Sequence, residues 1–243
     1  MIRIRGLQKT FTESVLRGVD FNVPKGCLYG LIGPAASGKS VLLKHIVGLL
    51  RPDRGEIIVD GQDVTQMSDL DLQEFRKRFG IAFQNNALFD HLTVGENVAF
   101  PLRRLYREMT EQQIMARVAN RLIAVTLPGF EDRSPPSLSG GQKRRVGVAR
   151  ATVASPPILI YDEPAAGLDP VTSQKIFDLL KAEKGDATVL MVSSDIDRLL
   201  TVTDRVGMMV GGRVIFDGTT QEAKASEDPY VRQFIHGLTE GPL

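Results

Sequence analysis

Short apolar runs closed by turn residues recur along the chain: LYGLIG at 28–33, EIIVDG at 56–61, FGIAF at 79–83, ILIYD at 158–162 and TVLMVS at 188–193. Runs of this length bounded by Gly, Pro, Asp or Ser predict strands. The last two are continuous instead of alternating, as in parallel strands covered on both faces. Helical patterns separate several of them, one after Lys39, one over about 111–127 and one after Ser139. The second has a legible start, because Thr110 followed by Gln113 matches a capping box and Met109 with Ile114 matches a hydrophobic staple. Its apolar positions Ile114, Val118, Leu122 and Val125 then fall on one face. A further stretch, LMVSSDIDRLL at 190–200, begins as a buried strand and ends as an amphipathic helix.

The helical patterns interrupt the run of strands, which predicts a helical lobe inserted between Gln84 and the strand at 158. Ser-Pro-Pro at 134–136 and at 155–157 marks the loops flanking its last helix. No internal repeat or low-complexity segment breaks this plan.

Composition changes the picture little. The chain has 243 residues, of which 42% are hydrophobic and 24% charged, ordinary for a globular protein with a sizeable core. With 30 basic against 29 acidic residues, no overall attraction to nucleic acid or anionic lipid is implied. Basic clusters such as RKR at 76–78 and KRR at 143–145 are expected to be solvated helix faces. Cys27 is the single cysteine, which excludes an internal disulfide and suits a small buried hydrophobe. MIRIRGLQKTF at the start alternates apolar and basic residues, so no secretory signal is expected there. No run reaches the ~20 apolar residues that span a bilayer; work at a membrane would need another chain to hold this one there.

Three motifs carry chemistry. GPAASGKS, Gly33 to Ser40, matches the phosphate-binding loop pattern G-x-x-x-x-G-K-[ST] and falls after a strand and before a helix, as that loop requires. Its backbone N–H groups and the helix's positive end suit phosphate, with Lys39 reaching the β and γ phosphates and Ser40 supplying a hydroxyl to Mg²⁺. The plainer alternative is a glycine-rich strand-to-helix turn. ILIYDEP places Asp162 and Glu163 at the end of an apolar strand, where adjacent carboxylates are costly to bury without a cation or proton partner. A metal site explains them, with Asp162 near the Ser40 shell and Glu163 orienting or deprotonating a water; capping of the next segment is the alternative. LSGGQ, Leu138 to Gln142, sets Ser139 and two glycines before a helix, either a second phosphate-facing helix start or only a flexible capped turn.

Together these residues resemble the ATP-binding cassette (ABC) ATPases. GPAASGKS is similar to their Walker A motif, Gln84 in AFQNN to their Q-loop, LSGGQ to their signature, ILIYDE to Walker B, and GLDP, Gly167 to Pro170, to their D-loop. The resemblance covers nearly the whole chain. It implies an α/β P-loop NTPase fold with a RecA-like core, an antiparallel β subdomain and an α-helical subdomain inserted at about 86–156, in an ATPase domain over 1–226 followed by a C-terminal extension over 227–243. It also implies ATP and Mg²⁺ as cofactors and a head-to-tail dimer, the signature of one chain closing over ATP held by the other. The implied nucleotide-binding residues are Phe11 (stacked on adenine, unless it is core), Gly33, Pro34, Ala35, Ala36, Ser37, Gly38, Lys39, Ser40, Val41, Ser139, Gly140, Gly141, Gln142 and Asp169. Ser40, Gln84 and Asp162 would hold the metal, and Glu163, Gln84 and Ser194 would occupy the catalytic positions.

FGIAFQNNALFDHLTVGENVAFPLR at 79–103 and DPYVRQFIHGLTEGPL at 228–243 further resemble the ATPase subunits of Mce-associated lipid transporters, of the maintenance-of-lipid-asymmetry type. That resemblance implies a permease resembling MlaE, contacted through residues about 86–106, an Mce-domain protein resembling MlaD and a STAS-domain regulator resembling MlaB. The cargo would be phospholipid, carried by the complex, and the location the cytoplasmic face of a bacterial inner membrane. Tyr230, Phe234 and Ile235 become candidates for dimer contacts or regulator docking, against the alternative of a terminal helix packed on its own domain. Another ABC importer or exporter shares the same engine. A soluble cassette acting on DNA or ribosomes is the other class, but such chains usually join two cassettes or carry a long coiled insertion.

The chain departs from the family twice. Ala36 adds a Cβ where glycine is common. Ser194, in VSSD, stands where the family's switch histidine is expected, and serine is shorter and carries no titratable proton. Either Ser194 with water replaces the histidine, or hydrolysis is slow by regulation, or a mutation was introduced to trap one state; a natural variant with weak hydrolysis is the expectation.

Overall fold

The computed structural model describes residues 1–82 and 87–243. In chain order the elements are β1 (Ile2–Thr10), β2 (Ser14–Val23), β3 (Leu28–Ile32), α1 (Lys39–Ile46), β4 (Arg54–Val59), β5 (Gln62–Asp63), α2 (Asp69–Arg76), β6 (Phe79–Ala82), α3 (Val94–Leu105), α4 (Glu111–Ala124), α5 (Gly140–Thr152), β7 (Ile158–Asp162), α6 (Pro170–Glu183), β8 (Thr188–Val192), α7 (Ile196–Val202), β9 (Arg205–Val210), β10 (Arg213–Thr219), α8 (Thr220–Lys224) and α9 (Pro229–His236). They form two compact units, one of Met1–Arg76 with Asp186–Leu243 and one of Lys77–Gly185.

The first unit holds an antiparallel sheet in the order β2-β1-β4-β5 and a run of strands β10-β9-β3-β8. β3 lies parallel to both β8 and β9, while β10 returns antiparallel to β9. Every residue of β3 and β8 is buried, as their unbroken apolar runs require. Cys27 is buried at the start of β3, in the role expected of it. In α9, Asp228 caps the N-terminus and Gly237, at φ 61°, ends the helix in the left-handed conformation. Val231, Gln233 and Ile235 of this helix are buried, so Ile235 belongs to the unit's own core, while Tyr230 is exposed.

The second unit holds the parallel pair β6 and β7 with helices α3 to α6. α4 starts as its sequence predicts: Thr110 N–H donates to Gln113 Oε1 at 2.8 Å and Gln113 N–H donates to Thr110 Oγ1 at 3.3 Å. Ile114, Val118, Leu122 and Val125 are all buried. The helix ends at Ala124, short of the expected 127, because Thr126 turns left-handed at φ 60° and the Leu127 N–H closes back on the Leu122 carbonyl at 2.8 Å. α3, α4 and α5 all fall within residues 86–156. Among the described residues, no helix is long and apolar enough to cross a membrane.

Candidate functional site

The loop Gly33–Ser40 joins β3 to α1 in the first unit, and its glycines are demanded by close approach. A Cβ on Gly33, at φ 139°, would stand 2.0 Å from the Met209 carbonyl oxygen of β9. A Cβ on Gly38, at φ 102°, would meet Leu16 Cδ2 at 2.9 Å and the Val15 carbonyl oxygen at 3.2 Å. Both glycines therefore let the loop lie flat against neighbouring strands, and β2 brings the β1–β2 turn that bears Phe11 to the same unit. Ala36 adopts φ 58°, so its methyl group sits in the left-handed region that costs an L-residue about 1–2 kcal/mol.

Lys39 folds back across the loop, its Nζ donating to the carbonyls of Gly33 and Pro34, each at 2.7 Å, and to Ser37 Oγ at 3.2 Å. The ammonium is thus encircled by its own loop. Gly38 caps α1 without a side-chain hydrogen bond, and the first turn holds no acidic residue. A helix start with no carboxylate, beside a half-buried lysine, suits an anion with several oxygens. Ala35, Ala36 and Ser40 are exposed, Pro34 and Val41 half-buried, and Ser37 and Gly38 buried. ATP fits this donor set, and Ser40 offers an exposed hydroxyl as one ligand for a cation that keeps most of its shell as water and phosphate oxygen.

Phe11 is 52% exposed, which removes the core alternative. Lys9 Nζ lies 5.5 Å from its ring centroid. At the end of β8, Ser193 is buried and its Oγ accepts from the Asp195 N–H at 3.1 Å, whereas Ser194 is exposed. Asp195 then caps α7 and pairs with Arg198 at 2.7 Å.

In the second unit β7 is buried from Ile158 to Tyr161 and delivers Asp162 and Glu163, both half-buried, at its end. Glu163 has φ 51°, a strained conformation for a residue with a long side chain. Its carbonyl accepts from the Ala166 N–H at 3.3 Å, closing a turn. Ser139 and Gln142 form a complete capping box at the start of α5, with Ser139 N–H to Gln142 Oε1 at 2.9 Å and Gln142 N–H to Ser139 Oγ at 3.3 Å. No acidic residue lies in that first turn, while Lys143, Arg144 and Arg145 follow it. Cations at the positive end of a helix repel its dipole, so an anion there relieves the conflict.

One glycine of LSGGQ serves packing: a Cβ on Gly141 would stand 2.9 Å from Thr172 Cγ2, whereas one on Gly140 would make only ordinary contact, 3.5 Å from Leu168 Cδ2. The D-loop and the signature helix therefore rest on one another within the chain. Asp169 caps α6, accepting from the N–H groups of Val171 and Thr172, each at 3.0 Å, and from Thr172 Oγ1 at 2.5 Å. The Thr172 hydroxyl, followed by its N–H, holds the Asp169 carboxyl below the usual carboxylate range.

The KRR cluster at 143–145 is not the solvated face that its charges suggest. Arg144 and Arg145 are half-buried, with Arg144 Nη2 donating to the Ala166 carbonyl at 3.1 Å and Arg145 Nη1 to the Val125 carbonyl at 3.4 Å. Long aliphatic stems let both cover apolar surface while their heads reach backbone acceptors. Two other residues escaped the sequence reading. Asn97 is fully buried, its Nδ2 donating to the carbonyls of Phe89 at 3.0 Å, Leu92 at 3.3 Å and Thr93 at 2.9 Å, while its Oδ1 accepts from the Phe89 N–H at 2.8 Å. Arg150 Nη1 donates to the Ala87 carbonyl at 2.8 Å. Together they fix the segment 87–93 that follows Gln84, which itself lies outside the described residues. Among the described residues there is no group of three or more His, Cys, Asp or Glu side chains that could hold a metal ion.

Comparison with known proteins agrees with this geometry. The family model described as ABC transporter matches residues 16–166. The probable ribonucleotide transport ATP-binding protein mkl of Mycobacterium tuberculosis is 40% identical over 245 residues, covering 100% of this chain and 68% of the relative. The intermembrane phospholipid transport system ATP-binding protein MlaF of Haemophilus influenzae is 38% identical over 246 residues, covering 100% of this chain and 93% of the relative. Among solved structures, a dimeric post-hydrolysis state of an ATP-binding cassette bound to ADP and Pi superposes with a TM-score of 0.84 at 32% identity, covering 90% of this chain and 99% of that one. With the loop at Gly33–Ser40, the carboxylates closing β7 and the capped LSGGQ start of α5 all inside the matched span or flush with the aligned relatives, the chain belongs to the ABC transporter family.

Proposed function

We propose that this chain is the ATP-binding and hydrolysing subunit of a membrane transporter that moves phospholipid. The observation that carries the nucleotide part is the clasp of Lys39 by its own loop, which holds an ammonium ready beside the uncapped start of α1. Lys39 exchanges the Gly33 and Pro34 carbonyls for phosphate oxygens, the loop N–H groups donate to the remainder, and Phe11 offers its exposed ring to the base. Ser40, Asp162 and Gln84 are the assigned holders of Mg²⁺. Bound Mg·ATP supplies the phosphoanhydride to be cleaved and the cation that neutralises its charge. Glu163 takes the water's proton or orients the water, a role typically worth roughly 10²–10⁴-fold in rate.

Two cassettes pair head to tail, Ser139, Gly140, Gly141 and Gln142 of one chain facing nucleotide on the other, and the span 1–226 forms the cassette with 227–243 as its extension. A permease resembling MlaE, an Mce-domain protein resembling MlaD and a STAS-domain regulator resembling MlaB complete the assembly at the cytoplasmic face of an inner membrane. The match to MlaF along 93% of that relative supports the phospholipid cargo. The match to mkl, named for ribonucleotide transport, favours a second reading in which the same engine moves another cargo. Glu163→Gln tests the enzyme: nucleotide affinity stays within a few-fold while turnover falls at least ~10², and intact turnover rejects the assigned role. The complex purified from native membrane and reconstituted in vesicles separates the cargoes by ATP-dependent transfer of labelled phospholipid against labelled ribonucleotide.

A further inference from the structure

Glu163 is presented by a strained turn, and the same chain holds that turn from outside. The left-handed backbone at Glu163, φ 51°, persists only where surrounding contacts over-determine it. One such contact is internal, Ala166 N–H to the Glu163 carbonyl at 3.3 Å, and a second continues the turn, Leu168 N–H to the Ala165 carbonyl at 3.2 Å. The third comes from the signature helix α5: Arg144 Nη2 donates to the Ala166 carbonyl at 3.1 Å. Beside it Gly141 brings the start of α5 close against Thr172, so the arginine acts from a packed base.

From this arrangement we infer that Arg144 is a positioning residue, holding the Glu163–Ala166 turn to the signature helix so that the Glu163 carboxylate stays where water can be activated. Burial draws the Arg144 guanidinium below its ordinary range while the Glu163 charge acts on it in the opposite sense, which places the cation within electrostatic reach of the carboxylate. Arg144 reaches both the backbone of the Glu163 turn and the field of the Glu163 side chain. Arginine suits this duty because its fork keeps a backbone acceptor and a nearby anion in range at once.

The inference rests on the reading of Glu163 as the water-activating carboxylate, and the experiment separates the two. ATP turnover of the full chain with Mg²⁺ is measured for Arg144→Ala, Arg144→Lys, Glu163→Gln and the Arg144→Ala/Glu163→Gln double variant, with thermal unfolding of each. Misplacement of a reacting group by about 1 Å costs up to ~10²-fold in rate, so Arg144→Ala is expected to lower kcat ~10–100-fold with KM for ATP within about twofold. Arg144→Lys, which keeps a donor and the charge, recovers a substantial part of that loss. In single-turnover measurements the double variant is no slower than Glu163→Gln alone, because the positioned group is already disabled. Should Arg144→Ala unfold, Arg144→Lys and Arg144→Gln carry the test, with lysine faster than glutamine. A kcat unchanged in Arg144→Ala while Glu163→Gln is inactive overturns the positioning role and leaves the Glu163 reading standing. Multiplicative losses in the double variant overturn it as well, whereas normal turnover in Glu163→Gln defeats the underlying reading itself.

Discussion

Gly141→Ala tests whether α5 and α6 are packed as closely as the structure has them. The added methyl group would stand 2.9 Å from Thr172 Cγ2, well inside the ~3.5–4.0 Å optimum for two carbons. Thr172 cannot swing aside without loss, since its Oγ1 donates to Asp169 Oδ2 at 2.5 Å and its N–H to Asp169 Oδ1 at 3.0 Å. The helices must part instead, and forcing a methylene into a packed contact costs about 1–3 kcal/mol. Replacing glycine by alanine inside a helix returns about 0.5–1 kcal/mol. The balance is a destabilisation of about 1 kcal/mol, or roughly 2–4 °C in Tm for a chain of this size. Thr172→Ser deletes Cγ2 and retains the hydroxyl on Asp169, so it should rescue Gly141→Ala and have little effect alone. Denaturant unfolding of the two single variants and the double variant closes a cycle with a coupling of about 1 kcal/mol. Additive effects, or a Gly141→Ala variant more stable than the parent, would show that the contact does not control the packing and would refute the reasoning.

The remaining predictions concern charge and the residue at 194. Asp169 is held below the usual carboxylate range by Thr172, so its contribution to stability is present above the unfolded carboxyl value near ~4 and is lost as pH falls through the folded value. Asp169→Asn should therefore flatten the fall in stability as pH drops below about 4, a difference readable in denaturant unfolding at successive pH values. Arg121 pairs with Glu183, and their side chains are only 23% and 13% exposed. Glu183→Ala leaves the cation stranded and should cost about 3 kcal/mol, while Arg121→Met with Glu183→Leu should be near neutral; equal losses in both would refute the desolvation argument. Because Ser194 is exposed, Ser194→His places an imidazole at the end of β8 without displacing core, and steady-state ATP turnover should rise. An unchanged or lower rate would mean that serine is no deficiency.

What could be seen in the sequence was what local chemistry dictates. α4 declared itself through Thr110, Gln113 and an apolar stripe, and β8 through an unbroken run that only two covered faces can satisfy. α3 was hidden, although Thr93 and Glu96 make the same kind of capping box. Gly95 and Pro101 argue against a helix there by propensity. What overrides them is distant: the N–H groups of Val94 and Gly95 donate to the carbonyls of Arg133 at 2.9 Å and Glu131 at 2.8 Å, and a Cβ on Gly95 would meet that same Glu131 carbonyl at 3.1 Å. Asn97, polar and therefore expected outside, is buried because four hydrogen bonds to one loop satisfy its amide. The Glu131 and Arg133 carbonyls lie far along the chain from α3, beyond any local window, whereas Phe89, Leu92 and Thr93 stand close to Asn97 in sequence but no residue pattern announces the loop they form.

The same division runs through the candidate site. The motifs around Gly33–Ser40, Asp162–Glu163 and Leu138–Gln142 were legible because each carries its chemistry in consecutive residues. Their conformational demands were only half legible. Ala36 drew notice as a Cβ in a glycine-favouring loop, and its φ of 58° bears out the concern. Glu163 drew none, because a glutamate closing a strand looks unstrained on paper, yet its φ is 51°. The two outliers differ in what sustains them. Ala36 is exposed, so a small methyl group bears the penalty with little crowding. Glu163 is half-buried and its turn is closed by Ala166 and held through Arg144. A strained residue with an external support is a different object from a strained residue without one: its position depends on the helix that supports it, and a basic cluster that charge counting assigned to solvent becomes part of how a carboxylate is aimed.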